Sequence, residues 1–177
     1  MPEETRAATL DLAFSPDLID PEVQAVLPSG YVMRPLARSD FDKGYFALLA
    51  QLTVVGDISK DAFEERFDYV KRHNDTYYPL VIEDQNVGKI VGAGTVVVER
   101  KFLRGLGLVG HIEDIVVDAD QRGKKLGLRV IAALTHLSKA TGCYKVILNC
   151  NDDNIAFYEK CGYTKKEVEM VLYHVKH

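Results

Sequence analysis

The chain alternates between segments with apolar residues at every second position and segments with a helical apolar stripe. Residues 31–36 (YVMRPL) alternate as a first strand, and Pro35 places this strand near a sheet edge or a strand end. Three further β-rich runs follow, separated by turn compositions, at 78–82, 90–98 and 110–118. Their order predicts an antiparallel meander.

Four other segments have the spacing of helices. Ser39 is expected to cap a helix whose stripe runs through 41–52, and Ser59 to begin a second one. After the third β-rich run, the residues 125–140 predict a longer amphipathic helix, and 155–161 a short one. The glycines that follow these last two segments are typical helix stops.

The second half of the chain predicts a different strand connection. Residues 143–150 (CYKVILNC) look like a buried strand after the long helix, and a last strand is expected over 163–173. A strand, a helix and a strand of these lengths favour a parallel crossover. The predicted fold class is therefore α/β, with a mixed central sheet flanked by helices.

The chain length of 177 residues suits one domain. Residues 1–28 are expected to form an N-terminal extension, in which four prolines interrupt any periodic pattern. It is expected to be loosely held because chain ends are usually mobile, although its apolar residues between 10 and 19 could pack on the domain. Residues 29–177 are expected to form the domain itself.

Composition narrows the functional classes. Hydrophobic residues make up 47% and charged residues 27%, and no apolar run approaches the roughly 20 residues that span a bilayer. The start lacks the basic flank and apolar stretch of a signal peptide, so we expect a cytoplasmic protein. Three cysteines without a CxxC pair argue against a disulfide framework and against a metal site. A net charge of −4 argues against a nucleic-acid partner.

The most informative motif joins a strand to the long helix. Residues 116–127 (VVDADQRGKKLG) contain a basic, glycine-bearing turn directly before the helix. Amide groups at a helix start lack internal partners and lie at the positive end of the helix dipole, so they bind phosphate well. The turn matches neither a P-loop nor GxGxxG. On its own it is equally compatible with a solvated basic turn.

The surroundings of this turn resemble the GNAT superfamily of acyl-CoA-dependent N-acetyltransferases. Residues 122–127 (RGKKLG) match the pattern [Q/R]-x-x-G-x-[G/A] of its pyrophosphate loop, except that Lys125 replaces a glycine. Residues 154–163 (NIAFYEKCGY) match a second hallmark. The resemblance covers residues 30–173 and implies acetyl-CoA as cosubstrate and no metal.

A narrower resemblance, to the eukaryotic glucosamine-6-phosphate N-acetyltransferases, rests on five blocks in the same order: 52–56, 99–101, 110–115, 142–145 and 157–163. It implies direct attack of the glucosamine 6-phosphate amine on acetyl-CoA, giving N-acetylglucosamine 6-phosphate and CoA in UDP-N-acetylglucosamine biosynthesis. It also implies a homodimer that exchanges the last strand and shares the substrate site. Two alternatives stay open: another small amine as acceptor, and a non-catalytic acetyl-CoA-binding module.

The resemblance also implies roles for individual residues. The expected cofactor-binding residues are Ile115, Val116, Val117, Arg122, Gly123, Lys124, Lys125, Leu126, Gly127, Leu128, Asn154 and Tyr158. The expected substrate-binding residues are Thr53, Lys101, Phe102, Leu103, Arg104, Glu113, Asp114, Tyr144 and Lys145. The expected catalytic residues are Tyr158, Glu113 and Asn149, with Tyr158 protonating the departing thiolate.

The sequence does not identify a single group that accepts the amine proton. Some relatives have an Asp where this chain has Asn149, which orients an amine but takes no proton, so the base is a water chain, a main-chain carbonyl or Glu113. Relatives also carry a terminal Arg for the substrate phosphate near residues 173–174, where this chain has Tyr and His. Glu113 and Asp114 are expected to point to opposite faces of their strand. A cysteine nucleophile is rejected, because no cysteine lies near a His–Asp pair in the sequence.

Overall fold

The computed structural model describes residues 10–174. Within them, one five-stranded sheet has its strands in chain order. The strands are β1 (Tyr31–Pro35), β2 (Tyr77–Asp84), β3 (Lys89–Arg100), β4 (Leu108–Val117) and β5 (Cys143–Leu148). The α-helices are α1 (Pro21–Ala25), α2 (Tyr45–Leu49), α3 (Lys60–Arg72), α4 (Leu103–Leu106), α5 (Leu126–Ala140) and α6 (Ile155–Lys160).

The strand pairing confirms the predicted mixed sheet. Strands β1 to β4 pair antiparallel in sequence, and β5 pairs parallel to β4 after the crossover through α5. This arrangement places the start of α5 next to the end of β4, where the basic turn lies.

Helix α5 packs closely on the middle of the sheet. Its apolar stripe is buried, and Ser138 is buried with it. A Cβ atom at Gly110 of β4 would lie 2.3 Å from the Ser138 Oγ, so only glycine permits this approach of helix and strand. The tight contact fixes the position of α5 relative to β4.

The segment after β1 differs from its prediction. Ser39 caps no helix there; instead Arg38–Lys43 forms a 3₁₀ turn with Ala37 at its N-cap, and α2 follows as a separate short helix. The reason is Asp40, which is fully buried. Its carboxylate accepts a 2.7 Å hydrogen bond from the Ala37 amide and pairs with the buried Arg34. By contrast, Ser59 caps α3 as predicted and accepts a hydrogen bond from the Ala62 amide.

The described part of the N-terminal extension packs on the domain. Ala13 and Phe14 are buried, and the Ala13 amide donates to the Leu36 carbonyl at 2.8 Å. The Asp11 carboxylate pairs with Arg38 and Lys71. The expectation of a loosely held arm is therefore wrong for residues 11–14, while residues 1–9 lie outside the described residues. The division at residue 28 stays a prediction.

The end of the chain also differs from its prediction. Residues 163–174 form no strand in the structure, and Val168, Met170 and Leu172 are 80%, 90% and 78% exposed. Strand β5 is one of the two edges of the sheet formed by the described residues, and Ile147 on it is 39% exposed. The expectation of a buried strand was therefore also wrong. A strand needs a neighbour for its backbone groups, and nothing in residues 10–174 supplies one to this tail.

Candidate active site

Strand β4 carries a bulge at Asp114. Thr95 of β3 pairs with Glu113 and Ala93 pairs with Val116, so two β4 residues oppose the single residue Gly94. Asp114 has the left-handed φ of 55°. A bulge of this kind resets the alternation of side chains along the strand.

The bulge brings two carboxylates to one side of the sheet. Glu113 and Asp114 both line a cavity of about 870 Å³ between the sheet and the helices α2 and α3. The expectation that they point to opposite faces was wrong, because it assumed regular alternation through residue 114. Burial and the neighbouring Asp114 carboxylate raise the pKa of Glu113.

Tyr45 also lines this cavity, and the sequence did not predict it as a site residue. It lies on α2 and lines the cavity together with Thr95 and both carboxylates. Burial, followed by the charges of Asp114 and Asp40, raises the pKa of its phenol. In the sequence Tyr45 belongs to an apolar stripe, and no local signal separates it from its core neighbours.

A second opening lies between β4 and β5. Their pairing ends where Ile112 lies opposite Leu148. Residues 113–117 therefore have no β5 neighbour within the described chain, and their backbone groups on that side can bind a ligand. Asn149 follows the end of β5 and is exposed. The predicted Ile115, Val116 and Val117 lie on the free stretch of β4.

The basic turn lies at the start of α5, beside this opening. The Asp118 carboxylate accepts a hydrogen bond from the Asp120 amide at 2.9 Å and shapes the turn. Gly123 has a φ of 84°, and no atom lies within 4 Å of the position a Cβ would take, so a ligand has free access to this backbone. Arg122 and Lys125 are exposed, and Leu126, Gly127 and Leu128 form the first turn of α5.

Lys125 adopts a conformation that favours glycine. Its φ is 57° and its ψ 26°, and it is the N-cap of α5. The position where the GNAT pattern has glycine is thus left-handed here too, although the residue is lysine. A non-glycine residue in this region costs roughly 1–2 kcal/mol.

Tyr158 lies on α6, half-buried against the core. Its ring meets that of Phe157 edge-on, with centroids 5.1 Å apart. Burial, with smaller contributions from Cys150, Cys161 and Tyr163, raises the pKa of its phenol. Tyr158 and Asn149 line a second cavity of about 560 Å³ between β5, α6 and the tail. Asn154 is exposed at the N-cap of α6.

The predicted phosphate-binding cations form two groups. Lys101 pairs with the Glu99 carboxylate at 2.6 Å, and Glu99 also contacts the His111 ring at 2.9 Å. The second group is Arg104 and Lys145. The Arg104 Cζ and the Lys145 Nζ each lie 5.9 Å from the centroid of the Tyr144 ring.

Three further predicted substrate-binding residues are exposed at the surface. Phe102 and Leu103 lie between β3 and β4, where Leu103 begins α4, and Thr53 follows α2. Neither Thr53, Lys101 nor Arg104 is among the residues that line either described cavity.

No helix within residues 10–174 has the length and apolar character that crossing a membrane requires. No group of three or more His, Cys, Asp or Glu side chains in the same range is arranged to hold a metal ion.

The bulge in β4, the unpaired stretch of that strand and the glycine turn at the start of α5 all lie within residues 113–127. The model described as the acetyltransferase (GNAT) family matches residues 41–163. The chain belongs to this family.

Relatives within the family are more specific. The chain is 45% identical over 151 residues to "Glucosamine 6-phosphate N-acetyltransferase 1" of Dictyostelium discoideum, covering 85% of this chain and 96% of the relative. It is 46% identical over 143 residues to the glucosamine 6-phosphate N-acetyltransferase of Arabidopsis thaliana, covering 81% and 96%. The crystal structure of the Arabidopsis thaliana enzyme superimposes with a TM-score of 0.80 over 82% of this chain and 99% of that chain.

Proposed function

We propose that this protein transfers the acetyl group of acetyl-CoA to the amine of glucosamine 6-phosphate. One observation carries the proposal: the opening at the β4 bulge, with Tyr158 and the basic turn near it, occurs in a chain about 45% identical to enzymes of that name over nearly their whole length. The reaction yields N-acetylglucosamine 6-phosphate and CoA, and it would serve UDP-N-acetylglucosamine synthesis in the cytoplasm.

The cofactor would lie between β4 and the start of α5. The free backbone groups of Ile115 and Val117 would bind the pantetheine arm as an added strand would. The amides at the start of α5, with Gly123 open to solvent, would hold the pyrophosphate. Asn154 would bond the arm near the thioester. The turn fits a pyrophosphate group because the start of α5 offers backbone N–H donors and Gly123 leaves open space beside them.

The acceptor would lie on the side of β4 that faces α2 and α3. Glu113 and Asp114 offer two carboxylates to an ammonium or to sugar hydroxyls. The sugar phosphate would bind the cations beside Tyr144, namely Arg104 and Lys145. Lys101, Thr53 and the backbone of Phe102 and Leu103 would complete this part of the site.

The chemistry needs placement and proton transfer but no protein nucleophile. The amine must first lose a proton, and Glu113 is the acceptor we propose. The neutral amine nitrogen then forms a bond to the acetyl carbon, the C–S bond breaks, and the sulfur takes a proton from Tyr158. As the amide forms, its nitrogen gives up the second amine proton to solvent, and Tyr158 regains a proton from solvent. Asn149, next to the same opening, would orient the amine through its side-chain carbonyl oxygen.

We also propose that the active form is a homodimer in which the tail of each protomer adds to the partner's sheet. The exposed apolar side chains of Val168, Met170 and Leu172 and the free edge of β5 support it. Light scattering should give a dimer mass, and Met170→Lys should give monomers with little activity. A monomeric wild type with full activity would contradict the dimer without affecting the assigned reaction.

A panel of amines tests the proposed reaction directly. Release of CoA thiol from acetyl-CoA is measured with glucosamine 6-phosphate, glucosamine, a polyamine and an aminoglycoside. We expect glucosamine 6-phosphate to react far faster than glucosamine, since only the former has the phosphate. Equal rates for the two sugars would overturn the assigned acceptor, and a faster polyamine or aminoglycoside would identify a different one.

A further inference from the structure

Three polar side chains from distant parts of the chain meet beside the basic turn. The Lys124 Nζ lies 2.5 Å from the Tyr31 hydroxyl and 2.5 Å from the Gln121 Oε1. The Tyr31 hydroxyl donates to the same Gln121 oxygen at 2.8 Å. The ammonium also lies 5.0 Å from the centroid of the Tyr31 ring. Protein atoms therefore already engage one of the cations of the turn.

The contact joins a firmly held residue to a weakly held one. Tyr31 is buried at the start of β1, and its backbone pairs with Asp84. The part of the turn around Gly123 is held more weakly than the residues before it: the Gln121 amide donates to the Asp118 carbonyl at 2.9 Å, but the hydrogen bond from the Lys124 amide to the Gln121 carbonyl is a long 3.4 Å. The ammonium and the phenol thus connect the turn to a strand at the far edge of the sheet from β5.

We infer that Tyr31 is a positioning residue for the pyrophosphate-binding turn and acts through Gln121 and Lys124. The inference rests on the proposed function, because it assumes that this turn binds the cosubstrate. Lys124 then contributes by holding the turn in its binding conformation. All three cations of the turn are exposed, but the ammonium of Lys124 already contacts Tyr31 and Gln121, so Arg122 and Lys125 would meet the phosphates.

Loss of the phenol should act on cofactor affinity alone. Without the Tyr31 hydroxyl, the turn samples more conformations, and the apparent affinity falls in proportion to the fraction that can bind. Because Lys124 is exposed, its hydrogen bond is expected to have the ordinary net strength, and its loss predicts a weakening of about three- to tenfold. The acceptor site and the turnover step lie elsewhere, so the KM for glucosamine 6-phosphate and kcat should not change.

The experiment compares full-length wild type, Tyr31→Phe and Lys124→Met. Acetyl-CoA affinity is measured by calorimetry, and both KM values and kcat by thiol release. Tyr78→Phe is the matched control, since Tyr78 is a buried tyrosine on the neighbouring strand β2 and packs against Phe14 instead of the turn. Both test variants should raise the Kd and KM for acetyl-CoA by about the same factor. The double variant should add little to either, because both changes break one connection.

Each result decides a separate question. If Tyr31→Phe binds acetyl-CoA as tightly as wild type, or more tightly because Lys124 is freed to contact the phosphates, the positioning role is wrong while the reaction stands. If the effects of the two single changes simply add, Lys124 acts independently of Tyr31 and the inference also fails. If the wild type does not bind acetyl-CoA, the proposed function fails and the inference fails with it.

Discussion

The guanidinium of Arg34 holds the carboxylate of Asp40 through two parallel hydrogen bonds, each 2.7 Å long. Both side chains are buried, and Arg34 also donates to the Glu83 carboxylate. Asp40 accepts the Ala37 amide as well, so it closes the turn between β1 and α2. This ion pair thereby fixes the approach of α2, which forms one wall of the cavity that we propose as the acceptor site.

Asp40→Asn should destabilise the protein by about 3–5 kcal/mol, because it leaves a buried guanidinium without its full charge partner. Urea unfolding measures the change. The control is Asp42→Asn, which removes an exposed carboxylate paired with Lys60 and should cost about 0–1 kcal/mol. Similar costs for the two variants would show that the buried pair contributes no more than a surface one.

Tyr158→Phe should lower kcat by about a hundredfold or more while acetyl-CoA affinity stays the same, because a positioned general acid contributes on that scale. Single-turnover kinetics and calorimetry separate the two quantities. Tyr163→Phe is the control: its ring lies 6.2 Å from that of Tyr158, but its hydroxyl bonds to Thr135. An equal loss of affinity and turnover in Tyr158→Phe would make Tyr158 a packing residue.

The role of Glu113 should appear in the pH dependence of the rate. Its pKa is raised by burial and by Asp114, so as pH falls it takes up its proton earlier than an ordinary glutamate. A base works only when deprotonated, so the rate should fall with Glu113 protonation at a pH above the usual glutamate range. Asp114→Asn removes one cause of the raised pKa, so the fall in rate should occur at a lower pH in this variant. Glu113→Gln should remove this pH dependence altogether.

The same pKa shift has a consequence for stability. A carboxyl group with a raised pKa binds its proton more tightly in the folded state, so its contribution favours folding at low pH and is lost as pH rises through the folded pKa. At neutral pH the charged Glu113 is therefore unfavourable, and Glu113→Gln should raise the urea midpoint there. Unchanged profiles for both rate and stability would exclude Glu113 as the base.

Lys125→Gly should make the protein more stable than Lys125→Ala by about 1 kcal/mol, because only glycine adopts the left-handed backbone without strain. Both variants remove the same charge, so the comparison isolates the backbone. Equilibrium unfolding in urea measures the difference. If the alanine variant were the more stable, Lys125 would not be strained in solution.

Regular elements with strong local signals could be predicted from the sequence. The Ser59 cap and the apolar stripe of α5 located their helices, and Gly123 located the turn. The bulge could not be predicted, because Asp114 has no local feature that marks a left-handed residue in a strand. The contact of Tyr31 with Lys124 could not be predicted either, since 93 positions separate the two residues along the chain. The tail was predicted as a strand from its apolar pattern, which carries no information on where its neighbour lies.

The bulge at Asp114 divides β4 into two halves in which the alternation of side chains is shifted by one residue: even-numbered residues face α5 before it, and odd-numbered residues do so after it. Before it, Gly110 faces α5; after it, Ile115 does, and the extra residue between them allows both. Deleting that residue would restore an unbroken ladder but would turn every side chain of one half to the other side of the sheet. The bulge thus keeps Glu113, which we propose for the acceptor, and Ile115, which we propose for the cosubstrate, on opposite sides of one strand. If both proposals hold, we expect substitutions at Glu113 to alter acceptor choice with little effect on acetyl-CoA affinity.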